Sequence, residues 1–244
     1  MEPQQEAYDV VVIGGGPSGL AAGLWLGRYR RSVLVVDAGD PRNAETWAVH
    51  GYPGVDEVPP YELRRSMKEQ ALAAGAEFRA AMARTVEGAE DDFRVGLSDG
   101  HELRARRVLL CTGLKDILPE IPGFDELYGK SIWHCPDCDG PGVAGMRVGV
   151  IGWGRQIAGF CSYLLTWTDR ITLLTHGHPP ELPEKSRAVL DRLLIIPDGD
   201  MFRDRNSDRG QLLAEPGGVG VDGLAEGQFV ADGENRCEHR EFQI

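Results

Sequence analysis

Two cysteines stand two residues apart in Cys135-Pro136-Asp137-Cys138-Asp139-Gly140. At this spacing two thiols on one helical turn can close a small ring and interconvert between dithiol and disulfide. Amides at a helix start favour the thiolate, and Asp139, directly after the second cysteine, is placed to shuttle a proton once burial raises its carboxyl. The competing chemistry is zinc, with His134 and both cysteines as ligands. A structural zinc normally takes a fourth ligand, often from a second paired motif, and Cys161 and Cys237 have no such companion. Redox chemistry is therefore the stronger reading, and no metal is expected. A haem attachment needs CxxCH, whereas here the histidine precedes the pair.

A second kind of chemistry is carried by glycines. Gly14-Gly15-Gly16-Pro17-Ser18-Gly19 fits GxGxxG between a strand and a helix, and Asp37 ends the following strand. The first glycine permits the tight turn, the second lets backbone amides approach a pyrophosphate, and the helix start adds partial positive charge. Asp37 would accept hydrogen bonds from ribose hydroxyls, so a dinucleotide is expected here. Cys111-Thr112-Gly113 follows another strand and offers close backbone approach to a second part of the same ligand, while Cys111 alone reads as a small buried hydrophobe. Gly152-Trp153-Gly154-Arg155-Gln156-Ile157-Ala158 gives GxGxxA after a strand, which suits a nicotinamide dinucleotide. No carboxylate ends the next strand; Thr175-His176-Gly177-His178 stands there instead. The two histidines are mostly neutral at pH 7 and substitute poorly for arginine at a 2′-phosphate, so a domain without nicotinamide binding stays open as an alternative.

The elements that would position these groups follow from periodicity. Tyr8 to Ile13 is an apolar run of the kind found in parallel strands covered on both faces. Pro17 opens a helix in which Gly19, Gly23 and Gly27 form a side-chain-free stripe toward the sheet. Ser32 to Val36 is the next strand, residues 39 to 58 a Gly/Pro/Asn-rich loop, and Pro59-Pro60 the start of a helix with Leu63, Met67 and Ala71 on one face. Strands are expected over 77–87, 92–98 and 101–110, with Asp99-Gly100 as a hairpin turn. The proline-broken segment 118–123 marks a boundary. The pattern then restarts: strand 147–151, helix 156–165, strand 170–175, and a helical stretch near 183–194. From 197 onward the composition predicts loop or disorder. The fold class is α/β with two Rossmann-like dinucleotide-binding modules of three layers each, divided as residues 1–116, 117–196 and a divergent tail 197–244.

Basic residues number 26 against 38 acidic, for a net charge of −12 in 244 residues, which argues against a nucleic-acid surface. No stretch approaches the roughly 20 apolar residues of a membrane span, and the polar, acidic start is unlike a secretory signal, so a cytoplasmic location is expected. Five cysteines are too few and unevenly placed for a disulfide scaffold.

The order of dinucleotide loop, Asp37, Cys-Thr-Gly, CPDCDG and a second GxGxxA resembles the low-molecular-weight thioredoxin reductase family over about residues 8 to 195. The CxxCDG between two Rossmann motifs is the specific part of that likeness. The resemblance implies FAD on the first module, with Gly14, Gly16, Gly19, Asp37, Thr112 and Gly113 at its binding positions, and with Pro17, Ser18, Ala38, Asn43 and Val86 beside them. It implies NADPH on the second module at Gly152, Gly154, Arg155, Ala158 and His176. It further implies that Cys138 faces the flavin, that Cys135 attacks the substrate disulfide, and that Asp139 is the acid/base. The partner would be a thioredoxin-like protein or a small disulfide, with a homodimer as the assembly.

Three departures accompany the likeness. His176-Gly177-His178 replaces the family's arginine pair for the 2′-phosphate, and Gly154-Arg155-Gln156-Ile157-Ala158 replaces its Gly-Asp-Ser-Ala loop. The chain is also too short for the family's whole C-terminal flavin segment, whose nearest match is Phe229-Val230-Ala231-Asp232-Gly233. Two rival readings follow: a truncated dinucleotide-binding fragment without catalysis, and a flavin-linked dithiol oxidase that uses oxygen.

Overall fold

The computed structural model describes residues 7–55, 57–178, 193–196 and 228–232. They form two compact units. Of the described residues, 7–44 and 58–116 make up the first, and residues 45–55, 57, 117–178, 193–196 and 228–232 the second.

In the first unit, β1 (Ala7–Ile13), β2 (Val33–Asp37) and β3 (Glu77–Ala80) are parallel, with helix α1 (Pro17–Arg28) crossing from β1 to β2 and α2 (Pro60–Ala73) from β2 to β3. An antiparallel meander follows: β4 (Ala83–Ala89), β5 (Asp92–Leu97) and β6 (Glu102–Leu110). The sheet order is β3-β2-β1-β6-β5-β4. Strand β6 joins its two parts, since residues 102–105 pair with β5 and residues 104–110 run parallel to β1. Only Ala81 and Met82 separate β3 from β4, which stand at opposite ends of that order, so the end of β3 lies close to the start of β4. Alternation along β1 then serves two cores. Val11 and Ile13 pack inward with Leu34, Val36, Val95, Leu97 and Leu103, while Val10 and Val12 pack with Val33, Val35, Ala71 and Ala76 on the helical side. This is why the run at β1 is apolar on both faces.

The single strand expected over 77–87 is thus two strands. Residues 77–80 complete the parallel sheet, and 83–89 belong to the meander. At the junction the Ala81 amide donates to the Asp37 carbonyl (3.0 Å) and the Ser98 amide to the Met82 carbonyl (2.8 Å). The glycine stripe of α1 also divides its work. A Cβ at Gly23 would meet Val35 of β2, but one at Gly27 would meet the Ala74 carbonyl at the end of α2.

The second unit carries the short helix α3 (Phe124–Leu127), β7 (Ile132–Trp133), the one-turn helix α4 (Pro136–Asp139), β8 (Val148–Gly152), α5 (Ile157–Leu164), β9 (Ile171–Leu174), β10 (Leu194–Ile196) and β11 (Gln228–Asp232). Its sheet is parallel in the order β10-β9-β8-β11-β7. One face is filled by Val148, Val150, Ile157, Cys161, Leu164 and Leu173, the other by Ile121, Phe124, Tyr128, Ile132, Ile151 and Leu174.

Three expectations change. Residues 45–57, placed by sequence in the first domain, pack with the second unit; for example, Gly129 lies directly against the Glu45 backbone. Residues 228–232, expected as loop and matched to a flavin-domain segment, are a strand between β8 and β7. Residue 194 opens a strand rather than closing a helix, and the rest of the helix expected near 183–194 lies, except for Leu193, outside the described residues. No described helix is long and apolar enough to cross a membrane.

Candidate functional sites

The ends of β1, β2 and β6 meet at one cavity. The Gly14 amide donates to the Val36 carbonyl (2.8 Å) and the Cys111 amide to the Ile13 carbonyl (2.7 Å). Gly14 has φ +107°, and a Cβ there would lie 2.1 Å from the Cys111 carbonyl oxygen; one on Gly19 would lie 1.8 Å from the Gly14 carbonyl oxygen. Neither position accepts a side chain. At Gly16, by contrast, a Cβ would meet nothing within 4 Å, so the start of α1 stands open toward a ligand.

The cavity holds about 540 Å³, within the usual span of roughly 300–1,000 Å³ for ligand pockets. Its lining includes Gly14, Gly16, Pro17, Ser18, Asp37, Ala38, Asn43, Thr112 and Gly113. Gly19 lies beneath the turn rather than in the wall, buried against Gly14. Val86 is not a lining residue. It packs on the core cluster of Val11, Ile13 and Val95, and Ala81, Met82, Ala83 and Arg84 line the cavity in its place because the chain crosses there from β3 to β4. Arg42, Leu114 and Lys115 also line it, Arg42 being held by a two-pronged bond to Asp116 (2.8 and 2.5 Å).

Asp37 is gripped from three sides. Its Oδ1 accepts from the Gly15 amide (2.8 Å), and its Oδ2 accepts from the Gly39 amide (3.1 Å) and from Arg64 of α2, with which it pairs. Arg64 Nε also donates to the Gly15 carbonyl (3.1 Å). A carboxylate offers about four acceptor sites, so this grip fixes the group while leaving capacity for a ligand hydroxyl. Sequence reasoning missed Arg64 because it lies 27 residues beyond Asp37 on another element, with no local pattern linking the two. A turn too close for a Cβ, an open helix start and a fixed carboxylate together fit a dinucleotide.

In the second unit, Cys135 caps α4 and is joined to Cys138 by a disulfide, Cα–Cα 5.3 Å. The Cys138 amide donates to Cys135 Sγ (3.2 Å). Both cysteines are half-buried. Asp139 is half-buried too, and burial pushes its carboxyl above the ordinary range, with His50 opposing that shift. His134 stacks on Tyr128, whose hydroxyl lies 2.6 Å from its Nδ1. Asp137 is exposed and accepts a hydrogen bond from the Tyr163 hydroxyl of α5, which holds the Tyr163 phenol above its usual value. Among the described residues no group of three or more His, Cys, Asp or Glu is placed to hold a metal ion.

The second glycine turn follows β8. Gly152 is buried at the strand end, Gly154 sits at φ +81°, and Arg155 is exposed. Ala158 is 1% exposed and belongs to the core, the helix-packing role of the motif's third small residue. After β9, the His178 ring stacks on Trp153 at 4.6 Å, with His176 at 6.2 Å. His176 has φ +48°, and its Nδ1 is buried without a hydrogen-bond partner among the described residues, as is Thr175 Oγ1.

Comparison with known proteins adds the family. The model of the family described as "Pyridine nucleotide-disulphide oxidoreductase" matches residues 8–191. The chain is 36% identical over 179 residues to "Thioredoxin reductase tcpT" of Claviceps purpurea, covering 70% of this chain and 56% of that one. It is 30% identical over 174 residues to the thioredoxin reductase of Bacillus subtilis, covering 70% and 54%. It therefore spans about half the length of these relatives. Among solved structures, that of HlmI is similar with TM-score 0.72 and 39% identity, over 78% of this chain and 61% of the other. A family match running through the first glycine turn, the Cys135–Cys138 pair and the second glycine turn is decisive: this chain belongs to the pyridine nucleotide-disulphide oxidoreductase family, where its relatives are thioredoxin reductases.

Proposed function

We propose that the chain is the redox portion of an FAD-dependent disulfide oxidoreductase of thioredoxin reductase type, drawing on NADPH and acting on a thioredoxin-like protein or a small disulfide. The observation that carries the reading is the Cys135–Cys138 disulfide set beside a half-buried Asp139 whose carboxyl is raised by burial. When bound, FAD supplies two-electron exchange between a nicotinamide and the Cys138 sulfur.

The remaining steps belong to the chain's own residues. In the reduced pair the Cys135 thiolate attacks a substrate disulfide, forming a mixed disulfide and releasing one substrate thiolate. Cys138 then attacks Cys135 Sγ, re-forming the internal disulfide and releasing the second thiolate. A carboxyl raised above its ordinary range by burial is suited to give and take the proton that accompanies each change at sulfur, the role proposed for Asp139. Gly14, Gly16, Pro17, Ser18, Asp37, Ala38, Asn43, Thr112 and Gly113 would hold the flavin dinucleotide, with Arg64 fixing Asp37. Gly152, Gly154, Arg155 and His176 would face the nicotinamide dinucleotide.

A dithiol oxidase is the second reading, favoured by Trp153 stacked on His178 where a 2′-phosphate would call for arginine. The visible spectrum of the purified protein separates the two. A yellow protein bleached by NADPH supports the reductase. One bleached by dithiothreitol alone, and returning with peroxide in air, supports the oxidase. A colourless protein that takes up no added FAD refutes both. Cys138→Ser must abolish disulfide turnover in either case.

A further inference from the structure

The redox turn rests on an aromatic shelf. A Cβ on Gly140 would lie 2.6–2.7 Å from the Trp167 indole, so the end of the CPDCDG segment lies flat on that ring. Tyr163, one turn earlier in the chain and on α5, meets Trp167 edge-on at 5.5 Å and 83°. Its hydroxyl donates to Asp137, the residue between Pro136 and Cys138. Asp137 is thus the one position inside the CxxC ring with a charge, and that charge is tethered to a different element.

We infer that Tyr163 is a positioning residue for the dithiol: by holding the Asp137 carboxylate on the α5 side of the turn, it keeps a negative charge away from the cysteine that must ionise. The inference deepens the proposed disulfide chemistry and rests on it. The physical reason is direct. A carboxylate adjacent to a thiolate disfavours that thiolate, and a carboxylate whose oxygen is engaged by an O–H donor is both fixed in place and partly neutralised. Without the donor the exposed side chain is free to rotate toward the sulfurs. Other ionisable groups around the turn are His134 before Cys135, Tyr128 just after α3 and against His134, Asp139 after Cys138, and His50 acting on Asp139. None of them is changed in a comparison confined to residues 137 and 163.

The experiment uses the whole chain. Dithiothreitol reduces the disulfide, yielding two protein thiols and the cyclic oxidised reagent, and is then removed. Iodoacetamide alkylation of Cys135 is followed by peptide mass from pH 5 to 10 in the wild type, Y163F, D137N and the double variant. Y163F keeps the ring that meets Trp167, and position 137 is exposed, so folding is preserved in both. The inference predicts that Y163F slows alkylation at neutral pH about threefold, the scale of one unit charge a residue away in a high-dielectric setting. D137N speeds it by a similar factor, and Y163F has no further effect in the D137N background. An unchanged pH profile in Y163F overturns the inference, as does an equal Y163F effect in both backgrounds, which would assign it to packing on Trp167. Alkylation reads the thiols alone, so failure of the flavin reading would appear in the visible spectrum and not in these rates.

Discussion

Replacing Gly19 by alanine should damage the first unit, and the size of the damage follows from the turn. The new Cβ would lie 1.8 Å from the Gly14 carbonyl oxygen, 2.9 Å from the Gly14 carbonyl carbon and 3.3 Å from Cys111 Cβ. An ordinary C···O contact is about 3.3 Å, so α1 must retreat by roughly 1.5 Å from a turn pinned by backbone hydrogen bonds to both neighbouring strands. Overpacking costs about 1–3 kcal/mol, occasionally more, and the atoms in the way are backbone, which sets the cost at the upper end or above. Alanine returns about 1 kcal/mol of helix propensity. The net loss is roughly 2–3 kcal/mol, or about 10 °C in Tm for a unit of this size. Gly16→Ala is the matched control. Gly16 has φ −76° and ψ −175°, open to any residue, and nothing lies within 4 Å of its Cβ, so stability should stay within about 0.5 kcal/mol. Its methyl instead stands where a pyrophosphate would approach and should weaken flavin binding about tenfold or more. Thermal unfolding of the flavin-free proteins and flavin titration by visible absorbance measure the two effects separately. Wild-type stability in Gly19→Ala, or equal destabilisation by both variants, would refute the reasoning.

Three further outcomes follow from single contacts. The Asp139 carboxyl is raised in the folded state by burial, so its contribution is most favourable below the ordinary aspartate pKa near 4 and is lost as pH rises through the folded value; Asp139→Asn should gain stability relative to wild type at pH 7 and lose that advantage at acid pH, and a pH-independent difference in urea unfolding would contradict this. Arg64→Ala removes the partner of a largely buried Asp37 (side chains 29% and 11% exposed) and should cost about 1–2 kcal/mol, between the ranges for exposed and buried pairs; Arg64→Lys should not restore it, because the guanidinium bonds the Gly15 carbonyl and Asp37 together. Leu164→Ala empties a core position 1% exposed and should lower the urea midpoint by an amount equivalent to about 2–5 kcal/mol, with an unchanged midpoint counting against the packing described.

The elements legible in sequence were those whose cause is local. The run from Tyr8 to Ile13, the glycine turn, the helix begun by Pro17 and the strand ending at Asp37 each follow from a period or a residue of special backbone freedom. The structure gives β1, α1 and β2 within a residue or so of those limits. The same holds for β8, α5 and β9. Where the reading failed, the deciding partner was distant. Residues 77–87 carry one strand-like composition, yet Asp37 and Ser98 claim its two halves for different parts of the sheet. Residues 45–57 lack any period, and only their packing, as at Gly129, assigns them to the second unit. Residues 228–232 look like part of a polar tail until β8 and β7 stand on either side to pair with them.

By itself the sequence determined the chemistry on offer: two thiols at ring-closing spacing, an acid beside them, and glycine turns opening helices after apolar strands. These depend on residue type and on separations of a few positions, over which the chain's own stereochemistry decides geometry. Tertiary structure alone decided which groups meet. It brought Arg64 to Asp37, exchanged Val86 for Ala81 to Arg84 in the cavity wall, half-buried Asp139, and set Tyr163 against Asp137. Such pairings cross from one element to another, and contacts of that kind are fixed by how the layers pack, which no local pattern encodes.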